Sequence, residues 1–234
     1  MSLILTIETG TDICSVGIAK DGEMISLRES SEGRDHASKV ATFTAELFEQ
    51  SGVTAEDLDG VAVGMGPGSY TGLRIGVSFA KGLCYGLNIP LIGVGSLGAL
   101  CSVAHESYDV GLLEIENWKS ARLCPMVDAR RMEVYTQLFD SSAKAITEVS
   151  AQIIEEGSMS QYNDGAPFLI FGNGAAKCLE HMPWATLIEV APSARGLAKI
   201  AQQKLDNGEV EDVAYFEPFY LKDFMVTTSK KKFF

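Results

Sequence analysis

The feature that most constrains the chain is a glycine-rich element at residues 60–76, GVAVGMGPGSYTGLRIG. It begins with an apolar run of the length of a buried strand and breaks at Gly66-Pro67-Gly68, because glycine tolerates positive φ and proline fixes its own φ. Ser69 and Thr71 follow, and either hydroxyl can cap the apolar helix predicted over 71–87. The element therefore predicts a strand, a tight turn and a helix in direct succession.

Two interpretations of this glycine element are open. A helix start beside a glycine turn presents free N–H groups and the positive end of the helix dipole, which suit an anion such as phosphate. A tight connection without a ligand explains the same residues, and no Gly-Lys-Ser/Thr follows, so the element is not a P-loop. The loop carrying Glu8, Thr9, Thr11 and Asp12 offers similar hydroxyls and amides, and ordinary turn chemistry is its alternative.

Composition limits the class of protein. The chain has 234 residues, 46% apolar and 21% charged, which predicts a globular protein with one large domain or two small lobes. Its net charge of −12 argues against a protein that binds nucleic acid without a partner, because such proteins normally have a basic surface. Residues 217–234 are locally basic, and we interpret this end as a solvated tail.

Cysteine use and hydropathy indicate a compartment. The five cysteines stand alone, without Cys-x-x-Cys or disulfide-like spacing, which predicts a reducing environment. The N-terminus leads directly into an apolar strand pattern with no basic region before it, so a signal peptide is not expected. No apolar run reaches the ~18 residues of a membrane span. We therefore expect a cytoplasmic protein without membrane contact.

The opening of the chain predicts an antiparallel meander and not a Rossmann βαβ unit. Strand patterns cover 3–8, 13–19 and 24–29, with a hairpin turn signal at Asp21-Gly22. Later patterns predict strands at 91–94, 123–129, 133–139 and 167–175, helices at 96–104, 151–156 and 193–207, a loop at 105–120, and an apolar clasp at 219–221 that docks on the body.

A turn at Asp128-Ala129-Arg130-Arg131 separates two of these predicted strands. It places one acid beside two arginines, and a surface salt bridge within the turn is the simplest interpretation.

The helix predicted over 36–51 carries more apolar surface than one buried face needs. Alanines recur every four residues at 37, 41 and 45, and a second stripe contains Val40, Phe43 and Leu47, with Phe48 between them. One face can pack on the sheet while the alanine ridge lets another helix approach closely. That second helix belongs either to a partner or to the same chain, and both alternatives are open.

Three stretches together resemble one family. ILTIETGTDICSVGIA, VAVGMGPGSYTGLRIGVSFAKGL and PMVDARRMEVYTQLF, supported by FGNGA, PSARGLAKIA and EPFYLKD, are similar to the TsaB (YeaZ) family over nearly the whole chain. The resemblance implies an α/β fold of the actin/sugar-kinase/Hsp70-like (ASKHA) class, with two lobes built on ribonuclease H-like sheets and flanking helices. The expected division is an N-terminal lobe at 1–104, a smaller lobe at 105–221 and a basic tail at 222–234.

The resemblance implies a partner and not a catalyst. TsaB-like proteins bind the catalytic paralogue TsaD and, with the ATPase TsaE, support N6-threonylcarbamoylation of the adenosine beside the anticodon in tRNAs that read ANN codons. The implied contact is a bundle of N-lobe helices. The chain alone is expected to form a homodimer, and it is expected to contact tRNA only as part of the complex. The expected interface residues are Ala37, Val40, Ala41, Thr44, Ala45, Phe48 and Phe79.

The resemblance also implies that catalytic features are missing. TsaD-like proteins bind metal through His-x-x-x-His, which places both rings on one helical face, but Ser96 and Leu100 stand at those positions here. Relatives that bind ATP usually end the first strand in aspartate, whereas this chain has Glu8. We therefore expect no metal, no catalytic residue and no cofactor for the chain alone, with ATP or ADP at the interface of the assembled complex as an open alternative.

Any vestigial nucleotide site would be built from the two loops. Arg74 is the nearest fixed cation, and bracing of the loop through backbone carbonyls is its alternative role. A stand-alone enzyme of the same fold, either a glycoprotease-like metallopeptidase or a small-molecule kinase, is the competing hypothesis for the whole chain. The candidate phosphate-type residues are Thr9, Thr11, Gly66, Gly68, Ser69, Thr71, Gly72 and Arg74.

Overall fold

The computed structural model describes residues 1–32 and 35–222 of the chain, and the predicted basic tail lies outside them except for Lys222. Two mixed sheets, of five and six strands, organise this part. The first sheet has the order β3-β2-β1-β4-β5. Its strands are β1 (Leu3–Glu8), β2 (Cys14–Lys20), β3 (Glu23–Ser30), β4 (Gly60–Gly66) and β5 (Leu91–Gly95).

The opening meander is confirmed. β1 pairs antiparallel with β2, and β2 with β3. The hairpin between β2 and β3 turns at Asp21 and Gly22, which have φ of 51° and 80°. On its other side β1 pairs in parallel with β4, which pairs in parallel with β5. The glycine element therefore leaves the sheet from a central parallel strand next to β1.

Helices cover both faces of the first sheet. α1 (His36–Ser51) and α2 (Tyr70–Leu87) share one face, where Val40 and Val77 pack with Leu5. α4 (Ala198–Asp206) covers the opposite face together with the 3₁₀ turn Ala194–Leu197. The bounds of α1 confirm the prediction for 36–51.

The second sheet has the order β11-β10-β6-β7-β9, and β8 pairs with β6 beside this path. α3 (Ser96–Asp109) lies between the two sheets, because Leu97 and Leu100 are buried against Leu123 and Phe171. The strands are β6 (Arg122–Asp128), β7 (Glu133–Thr136), β8 (Phe139–Asp140), β9 (Ser150–Ile153), β10 (Phe168–Phe171) and β11 (Thr186–Leu187).

The prediction of a helix at 151–156 is wrong. This segment contains β9, which pairs antiparallel with β7 in a register that places Ser150 opposite Thr136. The residues are partly exposed at an edge of the sheet, so they lack the apolar alternation that marks a strand in sequence. Tertiary pairing here overrides local propensity.

The predicted loop at 105–120 is partly wrong. α3 continues to Asp109, and the contact between His105 Nδ1 and the Asp109 carboxylate, at 3.0 Å, spans one helical turn of this extension. Tyr108 stacks on Trp118 with ring centroids 4.1 Å apart, and this contact joins the end of α3 to the end of the predicted loop. α3 thus crosses the expected lobe boundary at residue 104, and the division of the chain into lobes stays a prediction.

The later helix also differs in detail. The predicted helix at 193–207 begins as the 3₁₀ turn and continues as α4, and the Ser193 side chain caps it by accepting from the Arg195 N–H at 3.2 Å. In the described ranges 1–32 and 35–222, no helix has the length and apolar character needed to cross a membrane.

Candidate functional site

The glycine element forms the predicted strand, turn and helix. β4 ends at Gly66 and α2 begins at Tyr70. Ser69 is the N-cap, and its hydroxyl accepts a hydrogen bond from the Gly72 N–H at 3.3 Å. Thr71 is the second residue of α2 and is exposed, so Ser69 supplies the cap.

The glycine turn interlocks with the loop after β1. The Ser69 N–H donates to the Gly10 carbonyl at 2.6 Å. A Cβ at Gly68 would collide with that same carbonyl, and a Cβ at Gly72 would collide with the carbonyl of Thr9. Glycine is therefore required at both positions because two backbone segments touch there.

The polar groups of the two loops are used within the chain. The Thr9 hydroxyl is buried and donates to the Gly72 carbonyl at 2.8 Å. The Thr11 hydroxyl accepts from the Ile13 N–H at 3.2 Å, while the Thr11 carbonyl bonds the His36 ring at 2.8 Å. These donors and acceptors are not available to a phosphate in this conformation. The contacts support the structural interpretation, and anion binding stays a prediction.

Glu8 points into the interior and not toward an open site. Its carboxyl group accepts from the Gly10 N–H at 2.7 Å and from the Ser96 hydroxyl at 3.2 Å, and Ser96 in turn accepts from the Gly66 N–H at 3.2 Å. Burial raises the pKa of Glu8, while the hydrogen bonds from Gly10, Ser96 and Thr9 oppose that shift. The carboxyl group joins β1, the glycine turn and the start of α3.

Ser96 and Leu100, which stand where TsaD-like proteins have the two metal-binding histidines, lie in different environments. Ser96 takes part in the Glu8 network, and Leu100 is buried in the core between the sheets. Both lie on α3, one turn apart. Among residues 1–32 and 35–222, no group of three or more His, Cys, Asp or Glu is placed to hold a metal ion.

Arg74 braces the C-terminal segment. Its guanidinium lies 4.1 Å from the centre of the Tyr70 ring and donates to the Tyr220 hydroxyl at 3.0 Å. The Phe219 N–H donates to the Met65 carbonyl at 2.7 Å. The predicted docking of residues 219–221 on the body is thus confirmed, but it uses these polar contacts, since the Phe219 side chain is exposed. Arg74 binds a tyrosine hydroxyl, and not the backbone carbonyls of the loop that were its alternative partners.

The predicted interface residues divide between surface and core. Ala37, Ala41 and Ala45 are exposed on α1. Val40 and Thr44 are buried beneath the helix, so these two residues contribute to the core and do not reach the surface. Phe48 and Phe79 are half-buried at the edges of α1 and α2.

Helix α2 adds residues that sequence reasoning did not assign to a surface. A Cβ at Gly76 would collide with the Thr9 hydroxyl, whereas a Cβ at Gly82 or Gly86 would meet no atom within 4 Å. Tyr85 is 85% exposed on the same helix. The sequence already indicated a close contact on α2, because glycine destabilises a helix interior relative to alanine and its presence there calls for a structural explanation. We call the exposed and half-buried residues Ala37, Ala41, Ala45, Phe48, Phe79, Gly82, Tyr85 and Gly86 the α1/α2 surface.

The predicted salt bridge within the turn at 128–131 is wrong in its partner. Asp128 forms an ion pair with Lys177, from the 3₁₀ helix Ala176–Glu180. The Asp128 carboxylate also accepts from the backbone N–H of Arg130 at 3.2 Å, which is a turn contact and not an ion pair. Lys177 is 49 residues away in the chain, so its approach is set by the fold.

Comparison with known proteins identifies the family. A family model described as "TsaD: tRNA N6-adenosine threonylcarbamoyltransferase" matches residues 29–164, more than half of the chain. The chain is 28% identical over 235 residues to the Escherichia coli (strain K12) "tRNA threonylcarbamoyladenosine biosynthesis protein TsaB", covering 94% of each chain. The chain belongs to the TsaB (YeaZ) branch of the TsaD family. The Bacillus subtilis (strain 168) TsaB protein is 32% identical over 58% of this chain and 54% of that protein.

Solved structures of this family share the fold. YeaZ from Pseudomonas aeruginosa superposes with a TM-score of 0.74 at 25% identity, covering 94% of this chain and all of the other. The two mixed sheets with flanking helices are those of the ASKHA class, which confirms the fold class that the sequence predicts.

Proposed function

We propose that the chain is the partner subunit of a tRNA threonylcarbamoyladenosine-forming complex. In this role it binds a TsaD-type catalytic paralogue and, together with a TsaE-type ATPase, enables transfer of threonylcarbamoyl to the adenosine beside the anticodon. The chain itself carries no catalytic residue and acts in the cytoplasm. Membership of the TsaB branch supports this proposal, because its relatives are named for the same biosynthesis.

The observation that carries the proposal is the open space around Gly82 and Gly86. Each glycine in a helix interior costs about 0.5–1 kcal/mol relative to alanine, and at Gly76 a close internal contact explains the choice. No contact within the described chain explains Gly82 or Gly86, which are both exposed and, four residues apart, lie on one face of α2. A second helix that approaches α2 closely from outside the chain explains both.

The neighbouring alanines support the same interpretation. Ala37, Ala41 and Ala45 form an exposed ridge of small side chains on α1, which packs beside α2 on the same face of the sheet. Small residues on two adjacent helices leave a surface on which partner helices can lie at short distance. A standard interface buries ~800 Å² on each partner, which two helices of this length can supply.

The interior of the glycine element supports a non-catalytic role. The Glu8 carboxyl group is enclosed by Gly10, Gly64 and Ser96. The Thr9 hydroxyl and the Ser69 N–H donate to backbone carbonyls of the facing loop. We propose that the chain needs no cofactor by itself, and that any ATP or ADP belongs to the assembled complex. When the partner is absent, the α1/α2 surface pairs with a second copy, since a two-fold dimer needs one self-complementary patch.

The test is a reconstitution in which single components are omitted. TsaD, TsaE, the threonylcarbamoyl-AMP synthase, threonine, bicarbonate, ATP and unmodified tRNA are combined with and without this chain. Threonylcarbamoyladenosine is then quantified by mass spectrometry of the digested tRNA. The proposal requires that product depends on the chain. Equal product without it, or turnover of ATP or peptide by the pure chain that is lost on mutating residues 66–72, would contradict the proposal.

A further inference from the structure

The turn between β6 and β7 displays two adjacent arginines on left-handed backbone. Arg130 has φ 70° and Arg131 has φ 49°, and both residues are exposed. Two successive residues at positive φ are normally Asn, Asp or Gly, because a larger side chain strains the backbone there. The arginines are held where Gly, Asn or Asp would be more stable, which indicates that their side chains have a function.

The acids near these arginines are already neutralised. Asp128 forms an ion pair with Lys177, and Glu133 forms one with Lys222. In the part of the chain that the structure describes, neither arginine side chain has an ion-pair or hydrogen-bond partner. Two uncompensated guanidinium groups therefore stand side by side on a chain whose net charge is −12.

The turn is braced, so the arginines are presented from a fixed support. Lys177 donates to the backbone carbonyls of Arg131 and Glu133, each at 2.7 Å. At the base of the turn the Asp128 N–H donates to the Asn173 side chain at 3.0 Å. Because the turn is already held in place, less conformational entropy is lost when a ligand binds the exposed guanidinium groups, which favours binding.

We propose that Arg130 and Arg131 contact the phosphodiester backbone of RNA when the chain is assembled with its partner. Guanidinium groups bind phosphate through paired hydrogen bonds, and two of them on adjacent residues suit neighbouring phosphates of one strand. The acidic remainder of the chain repels RNA, so the contact adds to binding by the complex and does not support binding by the isolated chain. This inference rests on the proposed function, in which tRNA is the substrate of the complex.

The experiment measures tRNA binding by the assembled complex at several salt concentrations. Arg130→Gly/Arg131→Gly removes both charges and suits the left-handed backbone, so it is expected to fold as the wild type does. Arg130→Lys/Arg131→Lys keeps the charge. Lys144→Ala, at an exposed lysine of the same half of the chain, is the matched control. Thermal unfolding of each variant checks the fold, and calorimetry with the TsaD-type partner checks assembly without RNA.

The glycine variant is expected to bind the partner normally and to bind tRNA about tenfold more weakly. The slope of log affinity against log salt should become less steep by about one for each arginine removed. The lysine variant should retain most of this salt dependence, and the control should match the wild type.

Two results would overturn the inference. Unchanged tRNA affinity and slope in the glycine variant would show that the arginines do not meet RNA. Partner binding weakened by the glycine variant, with unchanged tRNA affinity once enough variant is added to saturate the partner, would assign the arginines to an acidic protein surface. Both results differ from failure of the proposed function, in which the wild-type chain itself would be dispensable for tRNA modification.

Discussion

Gly68 and Gly72 touch carbonyls of the facing loop, whereas Gly98 in α3 has open space where a Cβ would stand. We predict that Gly72→Ala lowers the free energy of unfolding by about 1–3 kcal/mol, because the methyl group would force the two loops apart. Gly98→Ala, the matched control, should raise it by up to about 1 kcal/mol, since alanine is the better helix former. Urea denaturation measures both, and equal effects of the two substitutions would contradict the interlocked loops.

Glu8 gives a prediction about pH. Burial raises the pKa of this carboxyl group in the folded chain above its ordinary value of about 4.5. Between the unfolded and folded values the folded state holds the extra proton, so stability falls as the pH rises through that window. Glu8→Gln removes the titration and keeps an oxygen to accept from the Gly10 N–H.

The expected result is a difference in unfolding free energy that grows in favour of Glu8→Gln as the pH rises from about 4.5 toward neutrality. Urea midpoints measured across this range give the difference directly. A gap that is constant with pH would mean that the carboxyl group titrates as it does in the unfolded chain.

At the scale of elements, α2 is built for contact on two sides. Its buried side packs on β4 and meets Thr9 through Gly76, and its exposed side carries Gly82. We predict that Gly82→Ala raises the thermal stability of the monomer, by up to about 1 kcal/mol, but weakens association because the methyl group separates the two helices. Gly98→Ala should raise stability without changing association. Sedimentation and differential scanning calorimetry separate the two effects, and unchanged association in Gly82→Ala would remove Gly82 from the interface.

The elements also show which predictions a sequence supports. The bounds of α1 follow from its apolar spacing, and the turn of the glycine element follows from Gly66-Pro67-Gly68, because glycine tolerates positive φ and proline fixes its own φ. β9 was missed because a partly exposed edge strand lacks alternation. Val40 and Thr44 were wrongly included in the interface, because the spacing of side chains shows the stripes but not how far each stripe extends around the helix into the core.

At the scale of the whole molecule, all five cysteines are free and buried. Burial raises the pKa of Cys14 and of Cys84 to about 11, and that of Cys124 to about 12. Because the thiolate is the reactive form, we predict that the native chain reacts very slowly with Ellman's reagent at pH 8. Five thiols per chain should react after denaturation. Rapid reaction of a thiol in the native protein would contradict the buried positions.

Long-range contacts mark the limit of sequence reasoning about the site. The Arg74–Tyr220 bond joins residues 146 apart, and the Glu8–Ser96 bond joins residues 88 apart. The sequence identified each of these residues as part of a candidate site or docking segment. Which residue it contacts depends on the tertiary structure and could not be read from the sequence. Lys177 was not a candidate in the sequence, and its pairing with Asp128 leaves the two arginines of the turn uncompensated.

The central claim is that the chain works by binding a TsaD-type partner through the α1/α2 surface. The most direct measurement is a titration of that partner with wild type, Ala41→Glu and Gln203→Glu, with threonylcarbamoyladenosine quantified in the same reconstitution. Ala41 is exposed on α1, and Gln203 is exposed on α4 at the opposite face of the sheet. The account predicts that Ala41→Glu loses partner binding, self-association and product together, while Gln203→Glu keeps all three. Intact partner binding and product in Ala41→Glu would contradict it.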